Sequence, residues 1–114
     1  MERVFLAEDY DGSAHFEIPF GFTTIGPRAF SRVSRSSLQS VTIPTSVTTI
    51  REYAFADCQS LEGVVIPDSV TKIGNRAFDE CYYDHEDSYG GLTFVIIPKS
   101  VTEIGGGPLL HAEH

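Results

Sequence analysis

The chain has 114 residues, of which 41% are hydrophobic, and it carries a formal net charge of -8 at pH 7. This length and apolar content predict one folded domain. Because phosphate binding needs clustered Lys and Arg, a chain with 8 such residues among 16 Asp and Glu argues against a nucleic-acid partner or an anionic membrane surface. Arginines are spread along this acidic chain, among them Arg28, Arg32, Arg35, Arg51 and Arg76.

The N-terminal sequence MERVFLAEDYDG has acidic residues where a secretory signal would need a long apolar run. No stretch of the chain approaches the roughly 18 apolar residues of a membrane-spanning helix. We therefore expect the chain as written to be soluble, with no export signal of its own and no inserted segment. The sequence assigns it no compartment.

One motif recurs along the chain: an Ile-Pro pair, then Ser-Val-Thr, a second Ile seven residues after the first, and Ala-Phe. The spacings between Ile-Pro pairs are 25, 23 and 31 residues, and the pairs are Ile18-Pro19, Ile43-Pro44, Ile66-Pro67 and Ile97-Pro98. Such self-similarity predicts a solenoid of about four coils, because each unit covers its apolar side chains only by stacking on a neighbour. The predicted parts are a cap at 1–15 and repeats at about 16–37, 38–60, 61–91 and 92–114, the last incomplete.

Each repeat opens with a predicted strand. Alternating apolar residues point inward and stack into a short parallel sheet: Val41 and Ile43, Val64 and Ile66, Val95 and Ile97. A proline then ends the strand, because it lacks the N–H that would bond to the next coil. These prolines are Pro44, Pro67 and Pro98.

A second extended or turning segment follows each proline. Its predicted inward residues are Val47, Val70, Val101, Ile50, Ile73 and Ile104, and its threonines, Thr48, Thr71 and Thr102, form a column able to share side-chain hydrogen bonds. Glycine after the second Ile, at Gly26, Gly74 and Gly105, indicates a turn with positive φ. Ala-Phe then fits a helical or 3₁₀ turn, and Phe30, Phe55 and Phe78 are predicted to stack.

The two ends of the chain depart from the repeat. Val4, Phe5 and Leu6 are sufficient for a partial capping strand, whereas the C-terminal GGGPLLHAEH replaces Ala-Phe with Pro108-Leu109. Leu109 is a candidate substitute for the missing Phe. An incompletely covered end favours edge-to-edge association, so a homodimer through the open solenoid end is one expectation.

The two cysteines, Cys58 and Cys81, are one repeat apart and therefore stack on adjacent coils. A spacing of roughly 4.8 Å between stacked strands is compatible with a disulfide. We favour buried reduced thiols, because this column asks for a small apolar group.

Outward positions of the first strand form two rows, and both turn apolar toward the C-terminal end. One row is Glu17, Thr42, Val65 and Ile96, and the other is His15, Ser40, Gly63 and Phe94. Val65, Phe94 and Ile96 thus form a predicted exposed patch, which is a ligand or subunit contact surface, inert sheet surface, or a surface covered by the inserted loop. The eight-residue insertion, in the segment 82–91, places Tyr82, Tyr83 and Tyr89 beside that patch, and tyrosines suit recognition. The alternative is a mobile acidic loop with no partner.

The sequence gives little support to metal binding or catalysis. A calcium site from Asp84, Glu86 and Asp87 lacks the spacing of a known calcium loop, so we predict neither metal nor cofactor. His15, His85, His111 and His114 stand at no recognised spacing to Cys or Ser, and no phosphate loop or nucleophile motif occurs. The sequence therefore predicts a protein that is not an enzyme.

The segment TSVTTIREYAFADCQSLEGVVIPDSVTKIGNRAFDEC resembles the BspA-like leucine-rich repeats, and the resemblance spans residues 16 to 105. It implies a leucine-rich-repeat solenoid, a right-handed superhelix with a concave parallel sheet. Such repeats mediate protein binding and adhesion, often at cell surfaces. The leading hypothesis is a recognition module for another protein, and the alternative is a structural spacer or adhesin fragment of a larger cell-surface repeat protein.

Overall fold

Each coil of the chain contributes one short strand to each of two sheets. The computed structural model describes residues 2–31, 38–56, 58, 60–78 and 94–105, with the backbone alone at Phe94. Its strands are β1 (Val4–Phe5), β2 (His15–Glu17), β3 (Thr24–Ile25), β4 (Ser40–Thr42), β5 (Thr49–Ile50), β6 (Gly63–Val65), β7 (Lys72–Ile73), β8 (Phe94–Ile96) and β9 (Glu103–Ile104). A 3₁₀ helix, Ala7–Asp9, lies between β1 and β2.

The strands alternate between the two sheets. The odd-numbered strands form a five-stranded sheet in the order β1-β3-β5-β7-β9, and the even-numbered strands form a four-stranded sheet in the order β2-β4-β6-β8. All pairings are parallel, and equivalent residues of successive repeats are partners: Ile25 with Ile50, Ile50 with Ile73, and Ile73 with Ile104. The predicted solenoid of parallel strands is confirmed.

The inward positions of the first strand are those predicted. Val41, Val64 and Val95 are buried, as are Ile43 and Ile66, and Ile97 packs against the same core partly buried. The strands end two residues before proline, at Thr42, Val65 and Ile96. The intervening Ile still donates to the next coil, as the 3.1 Å bond from the Ile66 N–H to the Ile96 carbonyl shows. Proline ends the ladder because it has no N–H to continue it.

The second segment of each repeat is also a strand. Its valines and isoleucines are buried at Val47, Val70, Ile50 and Ile73. The prediction is wrong for Ile104, which is 47% exposed, and Val101 is only partly buried. Ile104 lies on β9, the outer strand of its sheet, so among the described strands only β7 covers it.

The threonine hydroxyls form hydrogen bonds, but their acceptors are backbone carbonyls and not the side chains of other threonines. The Thr48 hydroxyl donates to the Thr23 carbonyl at 3.3 Å, and the Thr71 hydroxyl donates to the Thr48 carbonyl at 3.4 Å. The N–H groups of Thr48 and Thr71 donate to the same two carbonyls, at 2.8 and 2.9 Å. These side chains therefore tie one coil to the backbone of the preceding coil, and they do not bond to one another.

The predicted positive φ at the glycines is wrong. None of Gly26, Gly74 and Gly105 has it; the left-handed positions come two residues later in the repeat, at Arg28 (φ 58°), Tyr53 (φ 58°) and Arg76 (φ 53°).

Close approach of the backbone explains the glycines instead. A Cβ at Gly74 would lie 2.6 Å from the Glu52 nitrogen, and one at Gly105 would lie 2.5 Å from the Asn75 nitrogen. Real Cβ atoms do not come so near to other heavy atoms, so a side chain at either position would push two coils apart.

The predicted phenylalanine stack is confirmed. The ring centroids of Phe30 and Phe55 are 4.9 Å apart, those of Phe55 and Phe78 are 5.2 Å apart, and both pairs lie within 3° of parallel. Phe5, on β1, extends the column at 5.2 Å from Phe30. All four rings are fully buried, so one continuous aromatic column crosses the coils.

The Ala-Phe segments are turns, and none of the described ones is a regular helix or 3₁₀ helix. In the middle repeat the Ala54 N–H donates to the Arg51 carbonyl at 3.3 Å, and the Ala56 N–H donates to the Tyr53 carbonyl at 3.1 Å. The Phe55 N–H donates across to the Ala77 carbonyl of the next coil at 2.7 Å. Bonding between coils prevents these segments from closing into helices.

The predicted N-terminal cap is present. Val4 and Phe5 form β1, which pairs with β3, and the Phe5 ring contacts those of Phe16, Phe22 and Phe30 at 5.2 to 5.6 Å. Tyr10 completes this cluster, with its ring 5.1 Å from Phe16. The proposed C-terminal cap at Leu109 lies outside the described residues.

The buried phenol of Tyr10 makes the free energy of unfolding sensitive to pH in the alkaline range. Burial raises the pKa of its phenol and the nearby Asp11 carboxylate adds to the rise, while the hydroxyl donates to the Ser13 carbonyl at 2.5 Å. A pKa raised above the unfolded value of about 10 gives stability that is complete below that pH and is lost as pH rises through the folded pKa. We expect the free energy of unfolding to fall above pH ~10, and to fall less steeply in Tyr10→Phe. Urea unfolding of both proteins at several alkaline pH values measures the slopes, and equal slopes would contradict this role.

Cys58 is a fully buried thiol. Its Sγ donates to the Phe30 carbonyl at 3.3 Å, one coil away. This agrees with the expected small apolar position, whereas Cys81 lies outside the described part of the chain.

Candidate binding surface

The exposed face of the four-stranded sheet carries the two predicted rows. His15 pairs with Ser40, Ser40 with Gly63, and Gly63 with Phe94, which gives one row in register. The other row is aligned by the same pairings and contains Glu17, Thr42, Val65 and Ile96. Because side chains alternate along a strand, these rows face away from the buried valines between them.

Two aliphatic side chains on adjacent strands form the apolar end of this face. Val65 is 58% exposed and Ile96 is 53% exposed, and the two residues are register partners. Partner residues on neighbouring parallel strands lie roughly 4.8 Å apart. We name Val65 and Ile96 the apolar patch. Phe94 shares their strands through its pairing with Gly63, and only its backbone is described.

The other end of the same face is polar. The His15 Nδ1 lies 2.7 Å from the Ser40 Oγ, a hydrogen bond between neighbouring strands. Glu17 and Thr42 are exposed beside them. The predicted change from polar to apolar along the face is therefore present.

The other predicted binding residues, Tyr82, Tyr83 and Tyr89, lie outside the described residues. The same holds for the weighed calcium ligands Asp84, Glu86 and Asp87 and for His85, His111 and His114. Within the described part of the chain, no three His, Cys, Asp or Glu side chains are grouped as metal ligands. Nor does that part contain a helix with the length and apolar character needed to cross a bilayer.

A cavity that the sequence interpretation missed lies beside the five-stranded sheet. It has a volume of about 570 Å³, and its walls include Arg51, Tyr53, Lys72, Asn75 and Arg76. We name this cavity, with those five residues, the cationic groove. Glu52 and Glu103 also line it.

Two of the left-handed residues, Tyr53 and Arg76, line the groove. The Arg28 guanidinium lies over the Tyr53 ring, 4.3 Å from its centroid, and Arg76 is the equivalent residue of the next coil. Arg51 Nε donates to the Glu52 carboxylate at 3.1 Å. Arg51 and Arg76, which belong to successive coils, therefore line the same cavity. Arg28, Tyr53 and Arg76 occupy the same position of successive repeats, and this equivalence was the signal available in the sequence, because repeat-equivalent residues stack.

Comparison with known proteins agrees with this architecture. The leucine-rich repeat protein of T. pallidum superimposes with a TM-score of 0.69 at 26% identity, over 82% of this chain and 42% of that one. A leucine-rich repeat protein from Bacteroides ovatus gives the same TM-score at 28% identity, over 90% of this chain and 25% of that one. One from Eubacterium ventriosum gives 0.51 at 25% identity, over 82% of this chain and 28% of that one.

The chain thus spans less than half the length of these solved proteins. No curated protein shows a significant match to it. Residues 12–108 match the BspA type leucine-rich repeat region, in six copies. The match covers most of the chain and agrees with the repeat register of both sheets. The chain belongs to the family of BspA-type leucine-rich repeat proteins.

Proposed function

We propose that the chain is a non-enzymatic recognition module that binds another protein through the exposed face of the four-stranded sheet. Repeats of this family are typically protein-binding or adhesive and are generally not enzymes. The observation that carries the proposal is the apolar patch, two aliphatic side chains more than half exposed on paired strands. Contiguous exposed apolar surface is a feature of protein interaction sites.

The sheet holds the patch rigidly. Val64 and Val95, which alternate with the patch residues on the same strands, are 1% exposed and fix both strands in the core. The backbone bond from Ile66 to Ile96 joins the strands at their ends. A preorganised surface binds with less ordering entropy than a loop does. The patch therefore suits an apolar anchor from a partner.

The remaining members of the proposed surface are Phe94 and the three tyrosines Tyr82, Tyr83 and Tyr89. Phe94 occupies the row next to the patch by strand register. Tyrosine adds large contact area and a hydroxyl at low entropic cost, so a tyrosine-rich insertion between repeats favours recognition.

Replacing both patch residues, Val65→Ser with Ile96→Ser, tests the proposal. Each side chain is already about half covered, so a partner that completes the burial gains about 1 kcal/mol from each. We expect the loss of about 2 kcal/mol to weaken partner capture roughly thirty-fold. The measurement is a quantitative pull-down from an extract of the source organism, with thermal unfolding to show that the variant folds.

Phe20→Ser is the matched control. Phe20 is 74% exposed and lies just after β2, outside the apolar patch. The control should capture the same partners as the unchanged chain. Equal capture by the patch variant would refute this surface.

A second candidate, a structural spacer or adhesin fragment of a larger cell-surface protein, follows from the lengths of the solved relatives. These proteins are more than twice as long as the stretch this chain matches. A spacer needs only coil-to-coil contacts, so it predicts no partner whose capture depends on Val65 and Ile96. Under that function the patch variant and the Phe20→Ser control behave alike.

A further inference from the structure

We propose that the cationic groove is a second binding site, and that its ligand is an acidic segment of a partner protein that presents Asp or Glu carboxylates. This site is on the five-stranded sheet, whereas the apolar patch belongs to the four-stranded sheet. The two sites can therefore be tested independently.

Basic residues are concentrated at the groove, although the molecule as a whole is acidic. Of the six Lys and Arg in the described part of the chain, three line the groove, and a fourth, Arg28, lies against its Tyr53. The chain as a whole carries a charge of -8. Exposed charges are largely screened beyond about 8 Å at physiological salt, so a bound carboxylate responds mainly to the charges of the groove, where Arg51, Lys72 and Arg76 outnumber Glu52 and Glu103.

One of the two carboxylates in the groove is already compensated. Glu52 accepts a bond from Arg51 Nε, and its pKa is lowered, first by a hydrogen bond from its own backbone N–H and then by Arg51. A guanidinium has five N–H donors, and the bond to Glu52 uses one of them. Arg51 is 47% exposed and retains donors for a second carboxylate.

Lys72 supplies a second cation from the next coil. It is exposed on β7, between Thr49 of β5 and Glu103 of β9. Lysine presents its ammonium as a mobile point charge on a flexible stem, which can reach a ligand carboxylate. Arg51 and Lys72 belong to successive coils, so the cations follow the axis of the solenoid.

The shape and mixed charge of the groove select the ligand class. Its volume of about 570 Å³ is within the usual range for ligand sites and accommodates a short stretch of chain. Glu52 and Glu103 would repel a compact dianion such as phosphate, because one ion must sit near all the charges at once. An extended acidic segment can place separated carboxylates beside the cations of successive coils.

Residues with a left-handed backbone form another part of the groove wall. Tyr53 and Arg76 share φ values near 55°, which turns their side chains the same way from equivalent positions. Tyr53 is held on one side by the Arg28 guanidinium. Arg76 therefore lines the groove from the repeat position that Tyr53 occupies in the preceding coil.

Titration of the ¹⁵N-labelled chain with a hexaglutamate peptide tests the proposal. We expect amide shifts in residues 49–53 and 72–76 that weaken as salt is raised, because exposed ion pairs are screened. Lys72→Gln should weaken binding about three-fold, and Lys72→Gln with Arg76→Asn about ten-fold. Asn is chosen at position 76 because it tolerates the left-handed backbone.

Lys99→Gln is the matched control, since Lys99 is exposed on the turn after β8 and does not line the groove. It should leave hexaglutamate binding unchanged. The proposal is overturned if hexaglutamate leaves these amides unmoved, if Lys99→Gln weakens binding as much as Lys72→Gln, or if inorganic phosphate moves the same amides equally. The amide shifts do not depend on the apolar patch. A pull-down in which the patch variant captures as much partner as the unchanged chain would therefore leave this test unaffected.

Discussion

Replacing Phe55 by Ala is expected to lower the free energy of unfolding by about 3–5 kcal/mol. Phe55 is fully buried, and its ring is stacked between Phe30 and Phe78 at centroid distances of 4.9 and 5.2 Å. Truncation leaves a cavity between two coils and removes two ring contacts, each worth about 0.5–1.5 kcal/mol beyond burial. A solenoid gains its stability from contacts between neighbours, so a gap in a middle coil weakens the interface on both sides.

Urea unfolding followed by circular dichroism measures this loss. Phe20→Ala is the control, because Phe20 is 74% exposed and its truncation should change the free energy of unfolding by less than about 0.5 kcal/mol. A loss below about 1 kcal/mol in Phe55→Ala would show that the aromatic column is not a main support of the fold.

The column could be predicted because repetition converts sequence spacing into spatial position. Once Phe30, Phe55 and Phe78 hold the same offset from the second Ile of their repeats, parallel stacking in register places their rings one above another. The same reasoning identified Val65 and Ile96 as exposed, since they alternate with buried valines. In each case the inference needed only the repeat length and the period of a strand.

Contacts between residues at different positions of the repeat could not be predicted in this way. The groove joins Arg51 and Tyr53 of one coil to Lys72 and Arg76 of the next, and nothing in a single repeat indicates that these side chains border one cavity. The exposure of Ile104 could not be predicted from a single repeat either. Its sequence context matches that of Ile73, and only its place on the outer strand β9 distinguishes it.

Glycine shows how one residue type can have two physical explanations. The sequence favoured positive φ at Gly74, yet the left-handed residue of that repeat is Arg76. Gly74 is instead required by the distance between coils, which a single repeat does not specify. Its N–H donates to the Ile50 carbonyl at 2.7 Å, and this bond holds the backbone close to the preceding coil.

Gly74→Ala is therefore expected to destabilise the fold by about 2–3 kcal/mol. The added Cβ would lie 2.6 Å from the Glu52 nitrogen and 2.8 Å from the Arg51 carbonyl carbon. Both are backbone atoms, which cannot turn away as a flexible side chain can, so the coils must separate and the bond from Gly74 to Ile50 must lengthen. Urea unfolding gives the energy, and hydrogen exchange at the residue 74 amide reports the weakened bond.

Gly12→Ala separates this steric effect from backbone preference. Gly12 has φ +89°, and a Cβ there meets nothing within 4 Å, so its substitution costs only the conformational strain of about 1–2 kcal/mol. That strain should leave exchange at the residue 74 amide unchanged. If Gly74→Ala were as stable as the unchanged chain, the coils would have room for a side chain there, and close approach would not be the reason for glycine.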